Sequence, residues 1–326
     1  MIVVTGGAGF IGSALVWKFN QLGSDDLLVV DELGCDEKWR NIAALRFADY
    51  WHKDDFLRRI EDDRWPERPQ AIVHLGACSS TTERDADFLM RNNYRYTRTL
   101  AEWCLAREVR FIYASSAATY GDGERGYDDD DRVTPSLWPL NKYGYSKQIF
   151  DLWALRTGAL EKIVGLKFFN VFGPNEYHKG DMASVVFKAF HQIRAHGYVR
   201  LFKSERADYP DGGQQRDFIY VKDCVDTIAW LLEHREVGGL FNLGTGVARN
   251  WNDLARAVFA AMGLPPRIEY IDLPETLHGR YQYFTQARME KLRATGCPID
   301  FPALEDSVRD YVRNHLAQPR PYLSSL

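Results

Sequence analysis

A tyrosine and a lysine four residues apart, Tyr143 and Lys147, form the clearest reactive pair in the sequence. Because this spacing puts two side chains on one face of a helix, the lysine ammonium would lie beside the phenol. A free tyrosine titrates near ~10, and a neighbouring cation favours its phenolate and lowers that value. A phenolate can take a proton from a substrate hydroxyl while hydride leaves the same carbon. The pair therefore predicts a tyrosine acid–base that a lysine activates.

Ser116 is the third candidate in this group. It follows the apolar run Phe111–Ser115, which predicts a strand, so its hydroxyl would lie at a strand end. There it could hydrogen-bond the same substrate hydroxyl.

Tyr-x-x-x-Lys pairs also occur by chance on helices, and the case for chemistry therefore depends on the glycine turn at the start of the chain.

That turn is Gly6-x-x-Gly9-x-x-Gly12, which follows the apolar run Ile2–Thr5 and precedes a helical pattern. The first glycine permits a tight turn, the second allows backbone to approach a pyrophosphate, and the third allows close helix–strand packing. The free N–H groups at the start of the helix attract phosphate. Asp31 lies at the end of the next predicted strand, where an acid can bind a ribose hydroxyl. This order predicts a dinucleotide site.

The choice between NAD and NADP stays open at this point. Asp31 and Glu32 favour a free 2′-hydroxyl, whereas Lys38, and more remotely Lys53, could pair with a 2′-phosphate. Either cofactor, when oxidised, carries a cationic ring that would also favour the Tyr143 phenolate.

The elements that must position these residues alternate between strands and helices. Continuous apolar runs, each followed by an amphipathic stretch, indicate a doubly wound parallel α/β sheet of the Rossmann type with helices on both faces. We predict a dinucleotide-binding domain over 1–169, to which residues 215–247 return, and a smaller mixed α/β substrate domain over 170–326. The predicted strands are Ile2–Thr5, Leu27–Asp31, Ala71–Leu75, Phe111–Ser115, Val164–Phe168, Leu240–Leu243 and Arg267–Ile271.

Composition excludes several other classes of protein. The 326 residues carry 41 Lys+Arg and 45 Asp+Glu, and the net charge of −4 argues against a nucleic-acid partner. Apolar runs too short for a membrane span and a start without a basic segment predict neither a membrane anchor nor a secretory signal. Five scattered cysteines predict reduced thiols in the cytoplasm and no metal site. The acidic run Asp128–Asp131 predicts a solvated loop.

These motifs resemble the extended short-chain dehydrogenase/reductase family of nucleotide-sugar enzymes, and within it the ADP-heptose 6-epimerases. The closer resemblance lies in further segments along the chain. They are Gly76-Ala77-Cys78-Ser79-Ser80-Thr81-Thr82, Ala114-Ser115-Ser116-Ala117-Ala118-Thr119-Tyr120-Gly121, Phe168-Phe169-Asn170-Val171-Phe172-Gly173-Pro174, His178-Lys179-Gly180-Asp181-Met182-Ala183-Ser184 and Gly279-Arg280-Tyr281-Gln282.

The resemblance implies one tightly bound NADP per subunit, with NAD as the other possibility, and an ADP-heptose substrate for the lipopolysaccharide inner core. It implies cofactor contacts from Phe10, Ile11, Asp31, Glu32, Lys38, Lys53, Leu75, Gly76, Ala77, Cys78, Ser79, Asn92, Lys147, Val171 and Lys179, in addition to Gly6, Gly9 and Gly12. It implies substrate contacts from Asn170, Asp181, Lys188, Phe202, Lys203, Ser204, Glu205, Arg216 and Tyr281. It also implies a homo-oligomer, such as a pentamer.

Inversion at C6″ requires a second proton-transfer group, and Lys179 is the candidate. Hydride must leave and return on opposite faces of a 6″-keto intermediate, so the proton must be handled from two directions. The resemblance implies that Tyr143 serves one face and Lys179 the other, and His178 could help to shape the site. A lysine acts as a base only where burial or a nearby cation lowers its pKa.

Three other functions compete with this interpretation. A UDP-hexose 4-epimerase would keep the same Tyr/Lys pair, whereas a 4,6-dehydratase needs an acid where this chain has Ala117 and Ala118. A non-catalytic NADP-binding regulator typically loses the tyrosine or the lysine, and both are present.

Overall fold

A computed structural model describes residues 1–65, 68–275, 278, 281–298 and 300–325 of the chain. Its strands in chain order are β1 (Ile2–Thr5), β2 (Leu27–Asp31), β3 (Asp49–His52), β4 (Ala71–His74), β5 (Arg110–Ser116), β6 (Val164–Phe168), β7 (Asn170–Phe172), β8 (Val199–Phe202), β9 (Gln215–Tyr220), β10 (Gly239–Leu243), β11 (Ala248–Asn250) and β12 (Ile268–Ile271). Its α-helices are α1 (Phe10–Gln21), α2 (Lys53–Glu61), α3 (Ala86–Leu89), α4 (Tyr96–Ala106), α5 (Lys142–Arg156), α6 (Val185–His196), α7 (Val221–Glu233), α8 (Trp251–Met262), α9 (Glu290–Ala294) and α10 (Leu304–Tyr311).

Seven parallel strands form the central sheet in the order β10-β6-β5-β4-β1-β2-β3. Strands β2, β4, β6 and β10 are buried along their whole length, because helices such as α1 and α7 on one face and α4 and α5 on the other exclude water. The predicted doubly wound Rossmann sheet is confirmed.

Two small sheets complete the mixed part of the fold. Strands β11, β9 and β7 form one of them, and β12 pairs with β8 in the other. Of the segments predicted to return to the sheet, β10 pairs with β6 in the large sheet, whereas β9 lies beside β7. The domain boundary at 169/170 stays a prediction.

The local predictions differ from the structure in two respects. Strands β1, β2 and β6 have the predicted bounds. The amphipathic pattern of Phe88–Glu108 in the sequence predicts one continuous helix, but a π-helical stretch at Met90–Arg95 interrupts it. Strands β3, β7, β8 and β11 and helices α6 and α9 were not predicted. Within the described residues, no helix has the length and apolarity needed to span a membrane.

Candidate active site

The candidate residues gather at one edge of the central sheet. In a parallel sheet the carboxyl ends of all strands meet at the same edge, which is where ligands bind in open α/β folds. The glycine turn follows β1, Asp31 ends β2, the segment 75–79 follows β4, and Ser116 ends β5. Residues far apart in sequence are therefore brought to one side of the molecule.

The glycine turn has the geometry of a phosphate cradle. Gly6 has φ +66°, and a Cβ on Gly12 would lie 2.0 Å from the Gly6 carbonyl oxygen, so neither position tolerates a side chain. Helix α1 begins directly behind the turn, and its first i→i−4 bond runs from Ser13 N to Gly9 O at 3.0 Å. The preceding N–H groups of Phe10, Ile11 and Gly12 point out of the helix start. This arrangement fits the pyrophosphate of a dinucleotide.

The acids and lysines predicted to contact the ribose form two ion pairs. Asp31, 8% exposed, accepts hydrogen bonds from Ala8 N at 2.8 Å and from Lys38 Nζ at 2.9 Å. Glu32 accepts from Lys53 Nζ at 2.7 Å, and this contact holds the pKa of the Glu32 carboxyl below its ordinary value. Each lysine is thus already partnered by one acid.

The segment Leu75–Ser79 connects the cofactor side to the catalytic helix. Cys78 N donates to Asn93 Oδ1 at 2.9 Å, and Asn93 Nδ2 donates to Ser146 Oγ at 3.0 Å. Lys53 Nζ also donates to Asn92 Oδ1 at 3.1 Å. Asn93 lies in the π-helical stretch, so the irregular helix places an amide between the segment and α5.

Tyr143 lies in the first turn of α5, where Asn141 caps the helix by accepting from Gly144 N at 2.8 Å. Burial raises the pKa of the Tyr143 phenol, and a hydrogen bond with Ser116 partly offsets that rise. The predicted lowering of this pKa is wrong for the chain's own groups, because burial of the phenol outweighs the contributions that favour the phenolate. Lys147 Nζ donates to Ala114 O at 2.8 Å. Ser116 lies beside the phenol, and its role toward a substrate hydroxyl stays a prediction.

Lys147 is nearly enclosed, with 4% of its surface exposed. Burial lowers the pKa of its ammonium to about 8, although the nearby Asp151 carboxylate acts in the opposite direction. The charged form of Lys147 is therefore lost at mildly alkaline pH, far below the ordinary lysine range near ~10.4.

We expect turnover to decline as the pH rises through about 8, because the ammonium of Lys147 loses its proton there. The measurement is a kcat profile from pH 6 to 10 for wild type and Lys147→Arg. A guanidinium keeps its charge over this range, so the variant should be slower and lack this decline. The same decline in both proteins would contradict the assignment.

The sequence reasoning missed a buried charge pair behind Lys147. Asp151 and Lys167 are both 0% exposed, with their charged atoms 4.0 Å apart. Asp151 also accepts from Tyr113 at 2.9 Å and Ser115 at 2.6 Å. The available signal was the i,i+4 spacing of Lys147 and Asp151, which places the two side chains on one face of a helix.

Lys179 approaches the cofactor cradle from the opposite part of the chain. It lies in a 3₁₀ turn, Tyr177–Met182, and its Nζ is 5.1 Å from the centre of the Phe10 ring. Burial lowers the pKa of the Lys179 ammonium, whereas the buried Glu176 carboxylate opposes that shift. A lysine in this state can exchange protons more readily than an exposed one.

The predicted substrate residues form two groups. Arg216, 7% exposed, lies between the rings of Trp251 and Tyr281, with Cζ 5.7 and 5.4 Å from the ring centres, and Phe202 packs edge-on against Tyr281. Lys188 Nζ donates to Asp181 O at 2.6 Å on the Lys179 side.

The remaining predicted substrate contacts are less concentrated. Lys203 pairs with Asp272 at 2.9 Å and Glu205 with His278 at 3.2 Å, so these charges contact exposed partners outside the Arg216 group. Ser204 N donates to Asp211 Oδ1 in the same loop. Asn170 is exposed at the start of β7, and Val171 follows it. Gly279 and Arg280 lie outside the described residues.

The solvated loop predicted for the acidic run is wrong at Asp129. This residue is 2% exposed and accepts from Asn242 N at 2.7 Å, and burial raises the pKa of its carboxyl to about 6. Lys291 pairs with Asp131 at 2.7 Å, which shows that the stretch packs against residues distant in sequence. Among the described residues, no cluster of His, Cys, Asp and Glu could hold a metal ion.

Comparison with known proteins agrees with this geometry. The model of the NAD dependent epimerase/dehydratase family matches residues 2–244. An ADP-L-glycero-D-manno-heptose-6-epimerase of Nitratidesulfovibrio vulgaris is 59% identical over 323 residues, which cover 99% of this chain and 100% of the relative.

Two solved structures share the fold over almost the whole chain. The ADP-L-glycero-D-manno-heptose-6-epimerase of Helicobacter pylori has a TM-score of 0.79 at 26% identity, covering 97% of this chain and 96% of that one. A UDP-glucose 4-epimerase of Thermus thermophilus in complex with NAD has a TM-score of 0.72 at 25% identity, covering 95% and 97%.

Proposed function

The chain belongs to the NAD-dependent epimerase/dehydratase family, and on that premise we propose that it is an ADP-L-glycero-D-manno-heptose 6-epimerase. It interconverts the D-glycero and L-glycero forms of ADP-β-D-manno-heptose and supplies heptose for the lipopolysaccharide inner core. The observation that carries this proposal is the convergence of Tyr143 with Ser116 and of Lys179 with Phe10 at one sheet edge. The full-length relative at 59% identity supports the choice of sugar.

Each proposed catalytic residue has a distinct task. A bound nicotinamide cofactor supplies the removal and return of hydride at C6″. Tyr143 moves the proton of the C6″ hydroxyl on one face, and Ser116 orients that hydroxyl. Lys147 supplies positive charge beneath Tyr143, where Ala114 O fixes its ammonium. Lys179 moves the proton on the other face, since inversion requires a second donor and acceptor.

Lys179 and Tyr143 are suitably separated for this division of work. Lys179 contacts the first residue of α1, which follows β1, whereas Tyr143 contacts Ser116 at the end of β5. Strand β4 lies between β1 and β5, so the two strand ends are about 10 Å apart at the usual interstrand spacing. A sugar that turns within such a space can present either face to a fixed cofactor.

For the substrate, we propose that Arg216 binds the ADP diphosphate. A guanidinium matches phosphate oxygens in geometry and charge, and its burial between Trp251 and Tyr281 removes competing water. We also propose substrate contacts from two further sets of residues. Phe202, which packs edge-on against Tyr281, is followed by Lys203, Ser204 and Glu205. The other set is Asn170, Asp181 and Lys188, of which Lys188 contacts Asp181 two residues beyond Lys179.

The substrate proposal is tested by incubating the purified protein with ADP-D-glycero-β-D-manno-heptose and, separately, with UDP-glucose. We expect the L-glycero epimer to appear from the first and no UDP-galactose from the second. NADP is then supplied, followed by NAD, to separate loss of cofactor from lack of activity. Conversion of UDP-glucose alone would favour a 4-epimerase.

For the cofactor, we propose NADP, held tightly at one per subunit. Lys38 and Lys53 place two positive charges where a 2′-phosphate would lie, although Asp31 and Glu32 partner them. The Glu32 side chain is 53% exposed and can turn away from Lys53, whereas Asp31 is held by Ala8 N. Glu32 therefore weakens the NADP preference without abolishing the site.

We expect Glu32→Gln to raise the affinity for NADP⁺ relative to NAD⁺ by about fivefold, since it frees Lys53 for the 2′-phosphate at an exposed position. Calorimetric titration of cofactor-free protein with each dinucleotide measures the ratio. Asp55→Asn, which removes a comparable acid paired with Arg58 on α2, is the control. An unchanged ratio in Glu32→Gln would exclude this role.

We also propose that the enzyme is a cytoplasmic homo-oligomer. Trp138 is 83% exposed, with Leu140 and Tyr145 more than half exposed beside it, which is unusual for large apolar side chains and typical of an association surface. Light scattering of the purified protein reports its mass in solution.

A further inference from the structure

Asn175 occupies an unusual position three residues beyond Phe172, the last residue of β7. It is one of few described residues other than glycine with a left-handed backbone, at φ +76°, and its exposed fraction is 0%. Asparagine tolerates this conformation better than most residues, but a buried amide must also find hydrogen-bond partners. Those partners belong to three other parts of the chain.

The amide of Asn175 joins the two sides of the candidate site. Its Nδ2 donates to Ser13 Oγ at 2.9 Å in α1 and lies 3.5 Å from Asn41 O. Asn41 in turn donates from Nδ2 to Ala8 O in the glycine turn at 2.9 Å, and its Nδ2 is 3.2 Å from His178 Nδ1. His178, the residue next to Lys179, is thereby connected to the glycine turn that forms the cofactor cradle.

The same amide also secures the end of the chain. Asn175 Oδ1 accepts from Leu323 N at 3.0 Å, and the Leu323 side chain is 2% exposed. Tyr177 OH donates to Pro321 O at 2.8 Å, so the C-terminal segment (residues 319–325) contacts both Asn175 and the Lys179 turn. Ser325 N then donates to Ala44 O at 3.0 Å, close to the 37–41 turn that bears Lys38.

Lys179 depends on this framework for its position. Glu176 accepts from Ser184 Oγ at 2.7 Å and from Gly173 N at 3.3 Å and so closes the base of the turn. Within the turn, Gly180 has φ +52°, and Lys179 N donates to Glu176 O at 3.0 Å. The Lys179 ammonium lies over the face of the Phe10 ring, and among the described residues its Nζ forms no hydrogen bond or ion pair. Its position therefore depends on the backbone of the turn.

We propose that Asn175 is a positioning residue for Lys179: through its hydrogen bonds to α1 and to the C-terminal segment, it holds the Lys179 turn against the cofactor cradle. This inference rests on the proposed function, in which Lys179 moves a proton at C6″. It assigns to the C-terminal segment a role in catalysis as well as in stability.

Asn175→Gly tests the inference because glycine keeps the left-handed backbone and removes the amide. We expect kcat to fall about 10- to 100-fold, as a displacement near 1 Å would cause, with KM for the sugar nucleotide and the dissociation constant of NADP⁺ changed less than twofold. Hydrogen exchange of the 173–184 peptide should become faster. Asn20→Ala removes a similarly buried amide at the far end of α1, and it should lower stability but leave kcat unchanged.

A double-mutant comparison separates positioning from a general loss of structure. If Asn175 acts through Lys179, then Asn175→Gly has little further effect in a Lys179→Met background. An equal loss in both backgrounds, or an unchanged kcat in the single variant, would overturn the inference. Should Asn175→Gly fail to fold, Ser13→Ala removes one partner of the same amide, and we expect a smaller fall in kcat from it.

Wild-type protein that does not epimerise ADP-heptose refutes the proposed function, whatever the variants show. Active wild type with a fully active Asn175→Gly variant refutes only the positioning role.

Discussion

Replacing Tyr143 with phenylalanine is expected to lower kcat by about 10²- to 10⁴-fold, the range that one general acid–base group contributes. The hydroxyl is the only group removed, and it hydrogen-bonds Ser116 at the candidate reaction centre. Because the ring and its packing remain, the variant should fold and keep its cofactor. Initial rates of C6″ epimerisation and the absorbance of retained cofactor measure the two expectations.

Tyr145→Phe is the matched control for this prediction. Tyr145 lies on the same helix two residues further along, and 53% of its surface is exposed. The Tyr145→Phe variant should epimerise ADP-heptose at the wild-type rate. A Tyr143→Phe variant as active as Tyr145→Phe would remove Tyr143 from the mechanism.

Replacing Lys179 with methionine is expected to cause a loss of similar size, about 10²- to 10⁴-fold in kcat. Methionine keeps much of the length and apolar character of the side chain beside Phe10 and removes the ammonium. The protein should still bind cofactor at the glycine turn, since Gly6, Gly9 and Gly12 are unchanged. The measurement is the rate of epimerisation in both directions, starting from each epimer.

Lys162→Met removes an exposed lysine after α5 and should leave the rate unchanged. The two-base scheme needs both Tyr143 and Lys179. Wild-type activity in both single variants would exclude it, and loss in Tyr143→Phe alone would indicate that a different group serves the second face.

The parts of the fold that local sequence determines were predicted well. The run from β1 through the glycine turn to α1 is continuous in sequence, and each residue there has a local reason for its conformation. Asp31 could be placed because a buried parallel strand reads as one apolar run up to its end. The helical spacing of Tyr143 and Lys147 likewise predicted a shared face.

The parts that depend on distant pairing were not predicted. Lys167 faces Asp151 because β5 and β6 pair with Ser115 opposite Lys167, and no local pattern reveals that register. The predicted lowering of the Tyr143 pKa was wrong for a related reason, since burial of the phenol raises this pKa and that burial depends on the packing of distant segments. Strand β3 was missed because its short edge segment, Asp49–His52, mixes aromatic with charged and polar residues and is only partly buried.

The turn that bears Lys179 shows the same limit. The resemblance to heptose epimerases implied Lys179, but its proximity to Phe10 follows from contacts among α1, residue 41 and the C-terminal segment. The left-handed conformation of Asn175 is visible only in three dimensions.

The central claim is oxidation and reduction at C6″ of an ADP-heptose, with the two proton transfers on opposite faces. It is tested most directly by converting ADP-D-glycero-β-D-manno-heptose in heavy water, without free cofactor, and by examining the product by NMR. The account predicts the L-glycero epimer with hydrogen, not deuterium, at C6″, since hydride leaves and returns without solvent exchange. No conversion after NADP and NAD are supplied, or deuterium at C6″, would contradict it.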